Sequence, residues 1–147
     1  MSNALLKGVN MYDPNIVQPM REELTSIGVQ ELASAEAVDS ALDNAQGTAL
    51  LVINSVCGCA AGSCRPSVAI AMQHHKTPDK AYTVFAGQDK EATQQARSYF
   101  QHIPPSSPSI FLLKDGEVVY AVERHMIEGR TADQIAQDIT SAFDEFC

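Results

Sequence analysis

Basic residues are scarce in this chain. Ten lysines and arginines stand against eighteen aspartates and glutamates, a formal net charge of −8 at pH 7. Nucleic acids and anionic membranes are recognised through clusters of Lys and Arg, so this balance argues against either partner. Long apolar runs are missing too: no stretch approaches the ~18–20 residues that span a bilayer. The start, Met1-Ser2-Asn3-Ala4-Leu5-Leu6-Lys7, lacks the basic opening and apolar centre of a secretory signal. Residues 1–12 read as a flexible lead, native or in part a tag. Internal repeats, long linkers and low-complexity segments are absent. Cysteine is limited to four residues, three of them within eight positions and the fourth at Cys147. That is a poor framework for stapling a fold and a better one for thiol redox or metal chemistry in a reducing cytoplasm. What is present, 147 residues of which 45% are hydrophobic and 19% charged, suits one compact domain spanning 1–147.

The apolar pattern divides the chain into alternating elements. Asp13 and Pro14 supply a cap and a first-turn proline, Pro19 offers a second helix start, and Val17, Met20, Leu24 and Ile27 recur at helical spacing up to Gly28. Val29–Ala33 alternates as a short strand. Ser34 caps a helix whose apolar face is Val38, Ala41, Leu42 and Ala45, with Gly47 beyond its end. Ala49–Val56 is a short run rich in β-branched residues, which reads as a buried strand. Ser67–His75 reads as a helix, Lys76–Lys80 as a turn and Ala81–Ala86 as a strand. Asp89 opens a helix carrying Ala92, Ala96, Tyr99 and Phe100. Prolines 104, 105 and 108 make 103–109 a loop. Ile110–Lys114 and Glu117–Val122, joined by Asp115-Gly116, form a hairpin. Thr131 and Gln134 form a capping box for a last helix with Ile135, Ile139, Ala142 and Phe143 facing inward. Strands joined through helices run parallel and the hairpin adds an antiparallel edge. The expected fold is therefore α/β and thioredoxin-like, a central mixed sheet with helices on both faces.

The chemistry-bearing stretch is Cys57-Gly58-Cys59-Ala60-Ala61-Gly62-Ser63-Cys64-Arg65-Pro66, placed where the buried strand hands over to a helix. Unpaired N–H groups and the positive dipole end at a helix N-terminus favour an anion there. A thiol so placed has its pKa lowered from about 8.5 to roughly 3.5–7.5 and becomes a nucleophile at neutral pH. Cys57, at the strand exit, is the candidate nucleophile and Cys59 the candidate resolving thiol. A Cys57–Cys59 disulfide closes a small ring whose off-ideal geometry makes it easier to reduce. The pair should then be a poor reductant beside a Cys-x-x-Cys site. Gly58 lets the turn form without Cβ crowding.

Asn54–Gly62, Val84–Thr93 (with its Gly-Gln-Asp-Lys-Glu-Ala-Thr run), Ser106–Ser109 and Ile127–Gly129 resemble the bacilliredoxin family. The ending Ala142–Cys147 is similar but less specific, and the resemblance runs from about Asn15 to Cys147. It implies a thioredoxin-like enzyme that removes bacillithiol from mixed disulfides on proteins, with some disulfide isomerase or reductase activity. Bacillithiol would be the thiol co-substrate, with no bound cofactor and no metal. The partners would be proteins carrying small-thiol mixed disulfides, together with a regenerating thiol or reductase. In such a site Cys57 would attack the mixed disulfide, take the small thiol and release the repaired protein.

Other readings stand beside this one. The thiols can be apolar packing, since free cysteine behaves as a small hydrophobe. Cys57, Cys59 and Cys64, with Cys147 or a histidine as fourth ligand, can also hold zinc or an iron–sulfur cluster in a module without enzymatic activity. Cys64 departs from the family pattern, where a small non-thiol residue is usual. In an α-helix beginning near Cys59 it falls on a different face, as packing or as a second resolving thiol. Cys147 reads as a mobile terminal thiol. Ser107, Pro108 and Ser109 read either as an ordinary proline loop or as the counterpart of the cis-proline loop of thioredoxin-like folds, whose backbone could pair with an extended substrate. Arg65 either stabilises the thiolate or sits solvated. His74 and His75 read as helix-end cations, His125 follows a strand with no assigned role, and Asp89 and Glu91 read as cap and first-turn acids.

Overall fold

The computed structural model describes residues 12–147, so all but Tyr12 of the segment expected to be flexible lies outside the described residues. The hub is β2, Thr48–Asn54, in which every residue is buried. A continuous apolar run with no polar alternation can be satisfied only by cover on both faces. Neighbours on both edges provide the backbone pairing. β2 runs parallel to β3 (Lys80–Phe85) and antiparallel to β4 (Ser109–Lys114), so Val52 lies between Thr83 and Ile110. β1, only Gln30–Glu31, lies parallel outside β3, and β5, Glu117–Val122, antiparallel outside β4. The order β1-β3-β2-β4-β5 is the expected mixed sheet.

Alternate residues of β2 feed two cores. Leu50 and Val52 pack with Leu24, Val68, Ile135, Ile139 and Phe143. These come from α1 (Pro14–Thr25), α3 (Arg65–Ala71) and α6 (Ala132–Phe146). Leu51 and Ile53 turn the other way, toward Val38, Leu42, Ala92 and Ala96 of α2 (Ala35–Leu42) and α4 (Lys90–Ser98). The Phe100 and Phe111 rings meet there at 4.5 Å. Each such Leu or Ile contributes about 1.5–3 kcal/mol on full burial.

Local signals decide the ends of elements. Asp13, Ser34 and Thr131 cap their helices through their side chains, and the Thr131–Gln134 capping box is reciprocal. Asp115 and Gly116, at φ 51° and 84°, make the hairpin turn with both central residues left-handed. Several expectations shift. Pro19 does not restart a helix; α1 runs through it, its ring exposed. Ile27 and Ala45 lie past the ends of α1 and α2. α3 stops at Ala71, so His74 and His75 do not end a helix but follow it, where His74 meets Asp144 of α6 at 2.8 Å. A single helical turn, α5 (Arg124–Ile127), lies between the hairpin and α6, and the apolar pattern gave no sign of it. No helix among the described residues is long and apolar enough to cross a membrane.

Candidate active site

At the end of β2 the chain is fastened before it reaches the thiols. Asn54 Nδ2 donates to the Met20 carbonyl of α1 at 3.2 Å, and the Asn54 carbonyl accepts from Ala86 N at 2.9 Å. Ser55 Oγ accepts from Cys57 N at 3.0 Å. Arg65, only 2% exposed, donates through Nη1 to Asn54 Oδ1 (3.0 Å) and to the Ser55 carbonyl (2.8 Å). Its Nε lies 3.0 Å from Glu23 Oε1. Arg65 is therefore neither solvated nor turned to the thiolate. It ties the strand exit to α1 from below.

Beyond the exit the chain makes a π-helical turn, Ala60–Cys64, before the α-helical hydrogen bonds of α3 begin. The Arg65 N–H reaches back five residues to the Ala60 carbonyl, and Ala60 N and Ala61 N both approach the Cys57 carbonyl, at 2.9 and 3.3 Å. Such turns are rare and gather at functional sites. In an α-helix Cys64 would be rotated about 140° from Cys59. The wider turn brings it beneath instead: Cys64 is fully buried in the core against which Cys59 packs. Burial pushes the Cys64 thiol up to about 12. A thiol with no solvent access and little thiolate character is poorly placed as a second resolving group, which favours the packing reading for Cys64.

Cys57 and Cys59 stand partly exposed with their sulfurs 2.9 Å apart, as free thiols. The two titrate in opposite directions. The Cys57 pKa is lowered, first because the Cys59 thiol donates to it, and then by the backbone N–H groups of Cys59 and Ala60 and the charge of Arg124, against the opposing effect of burial. The Cys59 pKa is raised, chiefly by burial and then by its bond to Cys57 and the charge there. Of the two, Cys57 is the thiol its surroundings favour as thiolate, and Cys59 the one that holds its proton more tightly.

Arg124 was not singled out from the sequence. It lies on α5, where nothing in a four-residue helix marks a site. Its Nη1 donates to the Ser107 carbonyl at 3.0 Å and its Nε to Glu128 Oε1 at 3.2 Å. The bond between Ser107 and Pro108 is cis. Ser109 is buried, with its Oγ donating to the Ser106 carbonyl at 3.0 Å. The Ser107 carbonyl, one of the groups expected to meet substrate, thus accepts one hydrogen bond from Arg124. Ser63 Oγ donates to the Arg130 carbonyl at 2.7 Å and joins the π turn to the segment after α5. His125 takes no part in these contacts, and Gly58 has open space where a Cβ would be.

The fourth thiol is elsewhere. Cys147 is docked at the end of α6, its N–H on the Phe143 carbonyl at 2.8 Å and its sulfur beside Thr48, the first residue of β2. Seven residues of strand, at ~3.3 Å each, separate Thr48 from the exit toward Cys57 by roughly 20 Å. The terminal thiol is exposed and out of reach of Cys57. With Cys64 in the core and Cys147 at the far end, the four cysteines do not converge on one metal. The Disulphide isomerase family model matches residues 12–147. The chain is 53% identical over 137 residues to a bacilliredoxin of Koribacter versatilis, covering 93% of this chain and 94% of that one. A bacilliredoxin of Bacillus cereus is 51% identical and covered end to end by an alignment of 148 residues.

The chain belongs to the bacilliredoxin family.

A third member, from Salinibacter ruber, is 56% identical over 140 residues, 92% of this chain and 81% of that one. Two solved structures carry the same fold at low identity. One is described by its thioredoxin fold (14% identical, TM-score 0.57, 78% of this chain and 95% of that one). The other is a thioredoxin of Malassezia sympodialis (18%, TM-score 0.52, 81% and 90%). The fold is thioredoxin-like, and the paired thiols of this bacilliredoxin-family site make the protein a thiol–disulfide oxidoreductase.

Proposed function

We propose that the protein removes bacillithiol from mixed disulfides on proteins, with Cys57 as nucleophile and Cys59 as resolving thiol. The observation that carries this reading is the 2.9 Å sulfur pair, in which Cys57 is the group stabilised as thiolate. The Cys57 thiolate attacks the bacillithiol sulfur, the bond to the protein sulfur breaks, and the repaired protein leaves as its thiolate. Loading Cys57 removes its negative charge and its acceptor role, two of the causes that hold the Cys59 pKa up. Cys59 then loses its proton more readily and attacks Cys57 Sγ. Bacillithiol leaves as thiolate, and the Cys57–Cys59 disulfide keeps the two electrons' worth of oxidation until a second thiol or a reductase returns them. Resolution is thereby timed to follow loading.

The test is intact-protein mass after exposure to oxidised bacillithiol. Cys59→Ala should trap one adduct of bacillithiol, Cys57→Ala none, and Cys64→Ala should behave as the parent. Loss of resolution in Cys64→Ala, or an adduct that survives in Cys57→Ala, would overturn the assignment.

A further inference from the structure

The Gly87–Thr93 motif is only partly explained by what it ties down. Gln88 grips the Tyr12 backbone from both sides, and Asp89 holds the Arg21 guanidinium. Lys90 and Thr93 do neither. With Gly87, Gln94, Arg97 and Pro105 they line a cavity of about 400 Å³ between α4 and the loop 103–108.

Arg97 is unusual among the arginines of this molecule. The chain has five arginines and an excess of eight negative charges. Arg21, Arg65, Arg124 and Arg130 each have a carboxylate within 3.2 Å. Among the described residues Arg97 has none, although its Nε is buried without a hydrogen-bond partner. Its Nη2 donates to the Ser106 carbonyl at 3.0 Å, one residue from the carbonyl held by Arg124. Two guanidinium groups thus hold adjacent carbonyls of the cis-proline loop. The one that lacks an anion faces the cavity, and the other bears on Cys57.

We propose that this cavity, through Lys90 and Arg97, binds the carboxylate end of the small thiol whose sulfur is transferred to Cys57. The inference rests on the reading of Cys57 as acceptor of a small thiol and adds what selects it. An acidic protein repels an anionic substrate over most of its surface, and two unmatched cations beside the reactive loop supply local attraction.

The test compares transfer to Cys57 from one carrier protein loaded either with bacillithiol or with uncharged 2-mercaptoethanol, in the parent, Lys90→Gln and Arg97→Lys. The parent should favour the carboxylate-bearing load through KM, more so at low salt. Lys90→Gln should reduce that preference by about threefold or more, the scale of one partly solvated charge pair, while Arg97→Lys keeps most of it. Equal preference in parent and Lys90→Gln overturns the subsite. Failure of bacillithiol to load Cys57 at all sinks the parent reading instead, and a second measurement then decides the subsite alone. Succinate, a dicarboxylate without sulfur, is titrated into Cys57→Ser and followed by backbone NMR. Saturable shifts at Lys90, Thr93 and Arg97 support the site, and their absence overturns it.

Discussion

Cys57 is favoured as a thiolate because three kinds of donor converge on it: a neighbouring thiol, two backbone N–H groups and a cation on another element. The thiol and the cation can be removed separately. The pH midpoint of Cys57 alkylation should lie below that of an ordinary thiol, near 8.5. It should rise in Cys59→Ala, which deletes the first-ranked donor, and rise less in Arg124→Gln. Glu128→Gln should lower it, because Glu128 holds the Arg124 guanidinium through a 3.2 Å contact and offsets its charge. No movement in Cys59→Ala would show that the sulfur pair is not what activates the thiol. Much at this scale was legible in the sequence. Clustered thiols after a buried strand announce their chemistry. The supports were not, because an arginine in a sequence reads as surface. Burying Arg65 requires Asn54, Ser55 and Glu23 to surround it, and those partners are brought together only by the fold.

The elements show the same division. β2 was readable because every one of its residues is buried, and the hairpin because Asp115-Gly116 meets a strict backbone demand. The π turn was not, since Ala60-Ala61-Gly62-Ser63 has no apolar period to distinguish it from an α-helix. Nor was α5, which at four residues is shorter than the pattern that would reveal it. What fastens the π turn to the sheet is testable. Lysine keeps the charge of Arg65 but lacks the planar fork that spans Asn54 and Ser55. Arg65→Lys should lower unfolding stability by about 1–3 kcal/mol, the cost of leaving buried acceptors unpaired. It should also broaden the Cys57 and Cys59 resonances more than those of α6. A denaturation midpoint equal to the parent's would mean that the buried tie carries no net stability.

For the whole molecule, the buried Cys64 thiol couples folding to alkali. Its folded pKa, raised to about 12, exceeds the unfolded value near 8.5, so its contribution is fully present below that unfolded value. Above it the unfolded chain has lost a proton that the folded chain retains. The contribution therefore falls as pH rises from about 8.5 toward the folded pKa, by at most about 1.4 kcal/mol per unit. Tyr99 and Tyr120, also raised, add a loss only above their ordinary value near 10. The difference between parent and Cys64→Ala is therefore the readout: the mutant should lose less stability between pH 8.5 and 10. Parallel losses would place Cys64 outside the core.

β2 is paired on both edges and covered on both faces, so its central amides open to deuterium only when the entire sheet comes apart. The π turn that follows is held by a few side chains and should exchange far sooner. The reactive sulfurs would then sit where the slowest-exchanging backbone meets a turn that exchanges sooner. Cys57 inherits a fixed position from one side and, from the other, enough local give to exchange one sulfur partner for the next.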